Sequence, residues 1–202
     1  MQSARLKFVL VFSVMAWLLV GCAVTSTPDA EQSTAPLAES LSEQAQFDFA
    51  IDLARMQIER AEYDKAEQLL LKLRRAQAEN VEVYRLLAQA YEESGQIELA
   101  YITLQVVIKL KSVSLSDEAK FAGIAIQLQK FTQAEAIYQA WLKSEQTQVV
   151  VAGLNNLGFS ALLQAQYGLA TDYFQQALLK DPLNQKSRHN LLLVNQLEGT
   201  AK

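Results

Sequence analysis

Small residues recur along the chain in pairs twelve apart: Ala54 with Ala66, Ala88 with Ala100, Ala122 with Ala134, and Gly158 with Ala170. The first three pairs step by 34 residues and the last by 36. A large apolar residue precedes each first small one, at Leu53, Leu87, Phe121 and Leu157. Another follows nine residues after it, at Tyr63, Ile97, Phe131 and Tyr167. Four residues beyond each second small one stand Leu70, Leu104, Tyr138 and Phe174. A fixed period of this length predicts a stack of equivalent units rather than one irregular core. Within a unit, two antiparallel helices come closest where side chains are smallest, and apolar neighbours three and four residues away fill the gap. Turns are expected at Glu93-Ser94-Gly95-Gln96 and around Gln164-Ala165-Gln166. Ser40-x-x-Glu43 offers a capping box at the entry of the first helix.

These columns resemble the tetratricopeptide repeat (TPR), and the last unit fits it best, with Leu157, Gly158, Ala170, Phe174, Ala177 and Pro182. The resemblance implies an all-α TPR solenoid with repeats at 47–80, 81–114, 115–148 and 151–184. The middle units depart from the pattern: Ser112 and Gln146 stand where the closing proline belongs, and Val107 and Trp141 where alanine is usual. Val149-Val150-Val151 has strand propensity but lies between helical repeats, so a helix start is expected there. An amphipathic cap helix over 185–198 is expected to cover the end of the stack through Leu191, Leu192, Val194 and Leu197, because each unit buries only part of its surface against neighbours.

Ahead of the repeats, Arg5 and Lys7 precede thirteen residues, Phe8 to Val20, that are apolar except for Ser13. A helix of that length spans about 20 Å, short of a ~30 Å hydrocarbon core. A basic start and a short apolar core are the parts of a secretory signal. Leu19-Val20-Gly21-Cys22 resembles the bacterial lipobox, which implies cleavage after residue 21 and a diacylglycerol on Cys22. Other readings are an anchor helix left uncleaved and a secreted protein with a stray cysteine. The resemblance, with Ala23 rather than Asp after the cysteine, implies the periplasmic face of the outer membrane. Residues 22–40 are rich in Ser, Thr, Pro and acidic side chains, and read as a lipidated tether to a folded region over 41–198. Loss of the signal leaves 16 basic against 22 acidic residues, a net charge of −6. A body of that charge is not expected to lie on acidic lipid.

Composition narrows the chemistry. No proline falls between Leu37 and Asp181, and the chain holds one cysteine and one histidine. A pI near 5.1 argues against a nucleic-acid partner, which needs a basic face to neutralise phosphates. No phosphate-cradling glycine loop or nucleophile elbow is present. Glu92-Glu93 and Asp117-Glu118 are the conceivable acid–base pairs, but solvated helix ends are their ordinary explanation. His189 reads as a surface residue. No enzyme activity, cofactor or metal is expected.

The resemblance instead implies a groove lined by the first helices of successive units. Its candidate contacts are Arg55, Arg85, Gln89, Glu92, Ile126, Asn155, Phe159 and Leu162. Arg85 and Asn155 resemble part of the carboxylate clamp of chaperone-binding TPRs, but the other clamp residues are absent. The apolar members suit a helix or extended peptide; packing against the cap helix is the competing explanation for them. Leu154-Asn155-Asn156-Leu157-Gly158-Phe159-Ser160-Ala161-Leu162, followed by Arg188-x-Asn190-Leu191-x-Leu193-Val194, resembles the TPR lipoproteins of Tad-type (Flp) pilus assembly. That resemblance implies a scaffold with secretin or other envelope-assembly partners, held to the membrane by its lipid. The alternatives are a TPR lipoprotein serving type IV pilus secretins, an adaptor for peptidoglycan hydrolases, and, more remotely, an enzyme with a carboxylate site.

Overall fold

A computed structural model describes residues 42–200 of the chain. The signal, Cys22 and the tether lie outside the described residues. Among the described residues nine α-helices follow one another: α1 Glu43–Glu59, α2 Tyr63–Ala76, α3 Val81–Glu93, α4 Ile97–Val107, α5 Leu115–Gln127, α6 Phe131–Trp141, α7 Thr147–Leu163, α8 Tyr167–Lys180 and α9 Gln185–Thr200. No strand occurs among the described residues. Consecutive helices pack on one another, giving four helix pairs and a ninth helix against the last pair. The architecture is the all-α TPR solenoid.

The small columns are where the helix pairs close. Ala54, Ala66, Ala100, Ala122, Ala134 and Ala170 have no solvent-exposed surface. At Gly158 even a methyl group is excluded: a Cβ there would stand 2.6 Å from Cε1 of Phe174. Leu70, Leu104, Tyr138 and Phe174 fill the space beside the small pairs and are all buried. Tyr63, Ile97, Phe131 and Tyr167 are half-buried. Val107 and Trp141, the departures from the repeat pattern, are core residues. Trp141 meets the edge of the Tyr138 ring at 5.5 Å and donates its indole N–H to Glu118 Oε2 at 2.6 Å.

Each hairpin turns by the same device. The residues after the first helices, Ala61, Gly95, Gln129 and Ala165, all have positive φ, between 56° and 81°. The residue that follows returns its N–H to the helix, as Glu62 to Gln57 O, Gln96 to Tyr91 O, Lys130 to Ala125 O and Gln166 to Ala161 O, at 2.7–2.9 Å. This is the left-handed helix stop for which glycine is the natural residue, yet only the second unit uses glycine there.

The helix starts differ from one another. Ser42, not Ser40, caps α1, its Oγ accepting from Ala45 N, and Ser40 lies outside the described residues. Asn80 caps α3, and Ser114 with Asp117 forms a capping box on α5. α7 begins without a side-chain cap, and Val149-Val150-Val151 lies within its opening turns, as a helix start requires. α1 and α7 are the longest first helices, at 17 residues each, and begin four residues ahead of the boundaries drawn from the repeat columns.

The cap helix α9 is rotated from the expected orientation. Leu192 and Leu197 face solvent at 57% and 38% exposure, whereas Ser187 and Val194 are fully buried. Ser187, Asn190, Leu191 and Val194 form the buried stripe, at the spacing of one helix face. Leu191 and Val194 face the stack as expected, but the other two contacting positions are polar and meet Asn155 across the interface, so Leu192 and Leu197 turn outward.

Candidate functional site

The first helices α1, α3, α5 and α7 form one side of the stack, and clefts open between them. Opposite charges link the first three. Arg55 on α1 bonds Asp52 at 2.7 Å and reaches Glu82 on α3 at 2.9 Å. Glu82 lies 3.6 Å from Arg85, which grips Asp117 on α5 through Nε and Nη2 at 2.8 and 2.7 Å. Farther along the same helices, Lys120 meets Glu92 at 2.8 Å. The chain of charges therefore runs Asp52, Arg55, Glu82, Arg85, Asp117 across three units.

Asp117 is the buried end of that chain, at 6% exposure. The Arg85 guanidinium holds its carboxyl down to about 2 against the opposing effect of burial, helped by hydrogen bonds from Ser114. Arg85 is held above its ordinary value first by its hydrogen bond to Asp117, and Arg55 first by its hydrogen bond to Glu82. Asp117 is thus a structural anion rather than a solvated helix-end residue. It caps α5 and secures α3 to it in the same contact. Glu118, its neighbour, is occupied by the Trp141 indole. Glu92 is bound to Lys120 and Glu93 to Gln89, so each member of the conceivable acid–base pairs has a partner.

The groove candidates therefore divide. Arg55, Arg85 and Glu92 are engaged in the links between units, and Gln89 is exposed. Ile126 is half-buried in the central hydrophobic cluster. Asn155 and Leu162 are buried, at 2% and 8% exposure. Asn155 Oδ1 accepts from Asn190 Nδ2 at 3.1 Å and from Ser187 Oγ at 3.3 Å, fastening α9 to α7. Leu162 packs in the cluster of Phe174 and Val194. Phe159 alone among the apolar candidates is open, at 41% exposure.

Besides Phe159, the first helices carry exposed apolar residues that the repeat columns did not single out. Leu163, one turn on, is 49% exposed, and Leu115 on α5 is 47% exposed. A cleft of about 230 Å³ is lined by Leu115, Trp141, Val149 and Ala152. A second, of about 490 Å³, runs along Ala119, Gly123, Ile124 and Gln127. Nothing lies within 4 Å of a Cβ built at Gly123, so the middle of this face is open. A third cleft, of about 370 Å³, lies over Arg85, Gln89 and Lys120. The Lys120 and Asp117 links were readable as opposite charges 28 and 32 residues after Glu92 and Arg85, slightly less than one repeat.

His189 is exposed on α9. No group of three or more metal-ligating side chains occurs among the described residues, and no described helix is long and apolar enough to cross a membrane.

Known structures share this arrangement. MamA from Desulfovibrio magneticus RS-1 superposes with a TM-score of 0.62 at 15% identity, over 76% of this chain and 86% of that one. YrrB, described as a TPR protein with an unusual peptide-binding site, gives 0.58 at 11% identity over 74% and 76%. PilF of Pseudomonas aeruginosa gives 0.57 at 15% identity over 76% and 69%. At these identities the likeness defines the class, a TPR-fold protein. No family model and no curated protein matches the sequence.

Proposed function

We infer that the protein is a lipid-anchored adaptor of the bacterial envelope, which holds a protein partner along its first helices and carries out no reaction. The open apolar surface around Phe159 is the observation that carries this reading. The charged half of the same face is occupied by contacts between units, whereas Phe159, Leu163 and Leu115 have no comparable function within the fold. An exposed aromatic with an exposed leucine one turn on suits an amphipathic helix or an extended segment. YrrB, with the same fold, is described as having a peptide-binding site.

The lipobox-like Leu19-Val20-Gly21-Cys22 supports attachment through Cys22 at the periplasmic face of the outer membrane. The sequence resemblance to Tad-type pilus lipoproteins supports a secretin or another pilus-assembly component as the partner. Two arms test the reading. A Cys22→Ser variant is expected to leave the outer-membrane fraction and to take up no labelled fatty acid; retention of both properties contradicts the anchor. Deletion of the gene is expected to reduce secretin multimers and surface fibres, and unchanged levels of both contradict the pilus role.

A further inference from the structure

The second helices, on the side of the stack away from the clefts, present a face whose chemistry changes from unit to unit. At equivalent repeat positions α2 carries Lys65, Gln68 and Lys72, α4 carries Leu99, Ile102 and Val106, and α6 carries Gln133, Ala136 and Ala140. All nine side chains are exposed. The fold accepts lysine, glutamine or alanine at these positions, so it does not require the aliphatic residues on α4. Leu99, Ile102 and Val106 nonetheless stand 41%, 55% and 37% exposed along one helix face. Scattered apolar residues are ordinary on a surface, but an aligned stripe marks something that covers it.

Cations border the stripe. Lys65, Lys72 and Arg75 lie on α2, and Lys109 and Lys143 occupy the positions equivalent to Arg75 at the ends of the next two second helices. Attraction to a helix C-terminus explains the Arg75, Lys109 and Lys143 row. Lys65 is paired with Glu62 at 3.0 Å, which leaves Lys72, earlier in α2, and the aliphatic stripe without such an explanation. Asp64 and Glu98 flank the face at the starts of α2 and α4, and Asp172 lies beyond it on α8. The body is acidic overall; the ion-paired acids Asp52, Glu82, Glu92 and Asp117 lie on the first helices, and Glu62 pairs with Lys65 at the start of α2.

The geometry points to this face as a docking surface for an anionic lipid bilayer, with Leu99, Ile102 and Val106 entering the interface and the surrounding cations over the headgroups. Its occupant is decided by charge and shape. A protein partner is ordinarily held by aromatic or arginine anchors seated in a pocket, whereas the clefts described above open on the other side and this stripe is purely aliphatic. Aliphatic side chains bordered by lysine match the boundary between acyl chains and anionic headgroups. Net charge alone predicts the opposite; the exposed Lys72, Arg75, Lys109 and Lys143 favour docking locally. The inference does not depend on lipidation of Cys22 or on the identity of the protein partner.

The test uses the full chain with Cys22→Ser and Ile102→Cys, so that an environment-sensitive NBD fluorophore reports from α4 alone. The chain is mixed with phosphatidylcholine vesicles that contain or lack phosphatidylglycerol. With the anionic lipid, emission from position 102 is expected to shift to the blue and to become shielded from iodide. The same label at Gln127→Cys, on the first-helix side, is expected not to shift. Lys72→Glu with Lys109→Glu, both exposed and checked for retained helix by circular dichroism, is expected to abolish the shift, as is high salt. Unchanged emission at position 102 overturns the proposal, and so does an equal shift at 127. A shift produced by polyglutamate and not by vesicles also overturns it and gives the face to an acidic protein.

Discussion

The junctions between units are held in two different ways. From α1 to α5 the first helices are tied by charge, through Arg55 to Glu82 and Arg85 to Asp117. From α7 to α9 the ties are amide and apolar: Asn155 receives Asn190 and Ser187, while Leu162, Phe174 and Val194 pack together. Between these regions, Glu135 on α6 accepts from Ser160 Oγ at 2.6 Å and Gln164 Nε2 at 2.8 Å on α7. The front of the groove satisfies its own charges, so a ligand there must displace existing partners. The rear buries its polar groups under the cap helix and leaves Phe159 and Leu163 open. Similar helix pairs therefore yield a front whose charges are paired beside its clefts and a rear that leaves Phe159 and Leu163 exposed.

The rear should fail first when shape is altered. Gly158→Val drives a side chain into the Phe174 ring and is expected to cost about 3 kcal/mol, measured by urea unfolding. Gly123→Ala, on a first helix with open space around it, is expected to stabilise by up to about 1 kcal/mol through helix propensity alone. A similar loss from both substitutions contradicts the account of the Gly158 contact.

The front should fail first when charge is altered. The folded-state carboxyl of Asp117 titrates at about 2, below its ordinary 3.8, so the pair's stabilisation is present above pH 4 and is lost as pH falls toward 2. Arg85→Met leaves Asp117 buried without its cation and is expected to cost about 2 kcal/mol at neutral pH, with a flatter stability profile between pH 4 and 2. An unchanged acid limb shows that the stabilisation resides elsewhere. Asn155→Ala removes the acceptor of two cap-helix donors and is expected to cost about 1–2 kcal/mol. Faster amide exchange confined to α9 is the accompanying sign; exchange spread evenly over α1–α5 contradicts a local role. The smallest effect is expected at the hairpins. Gln129→Gly relieves a positive φ of 56° and should raise stability by about 0.5–1 kcal/mol, read as a small increase in Tm.

The solenoid was legible because helix crossings require small residues and each crossing recurs in register. Ala54, Ala88, Ala122 and Gly158 mark one position in four units, and the structure buries the contacts they imply. The ties between units were harder to read, since Arg85 and Asp117 look like ordinary surface charges until two helices 32 residues apart are brought side by side. Orientation of the cap helix was misread for the opposite reason: Leu192 and Leu197 are apolar yet exposed, while Ser187 and Asn190 are polar yet turned inward. Hydrophobicity alone cannot phase a helix whose interface contains a buried amide. Among the apolar groove candidates Phe159 is exposed, whereas the exposed Leu115 and Leu163 belong to no repeat column.

Photo-crosslinking in cells tests the contrast between the two halves of the groove. A photoreactive side chain is placed at Phe159 in one strain and at Gln89 in another, and adducts are resolved by gel and identified by mass spectrometry. The account predicts one defined envelope-protein adduct from position 159 and little or none from position 89. A strong adduct from position 89 with none from 159 would contradict it.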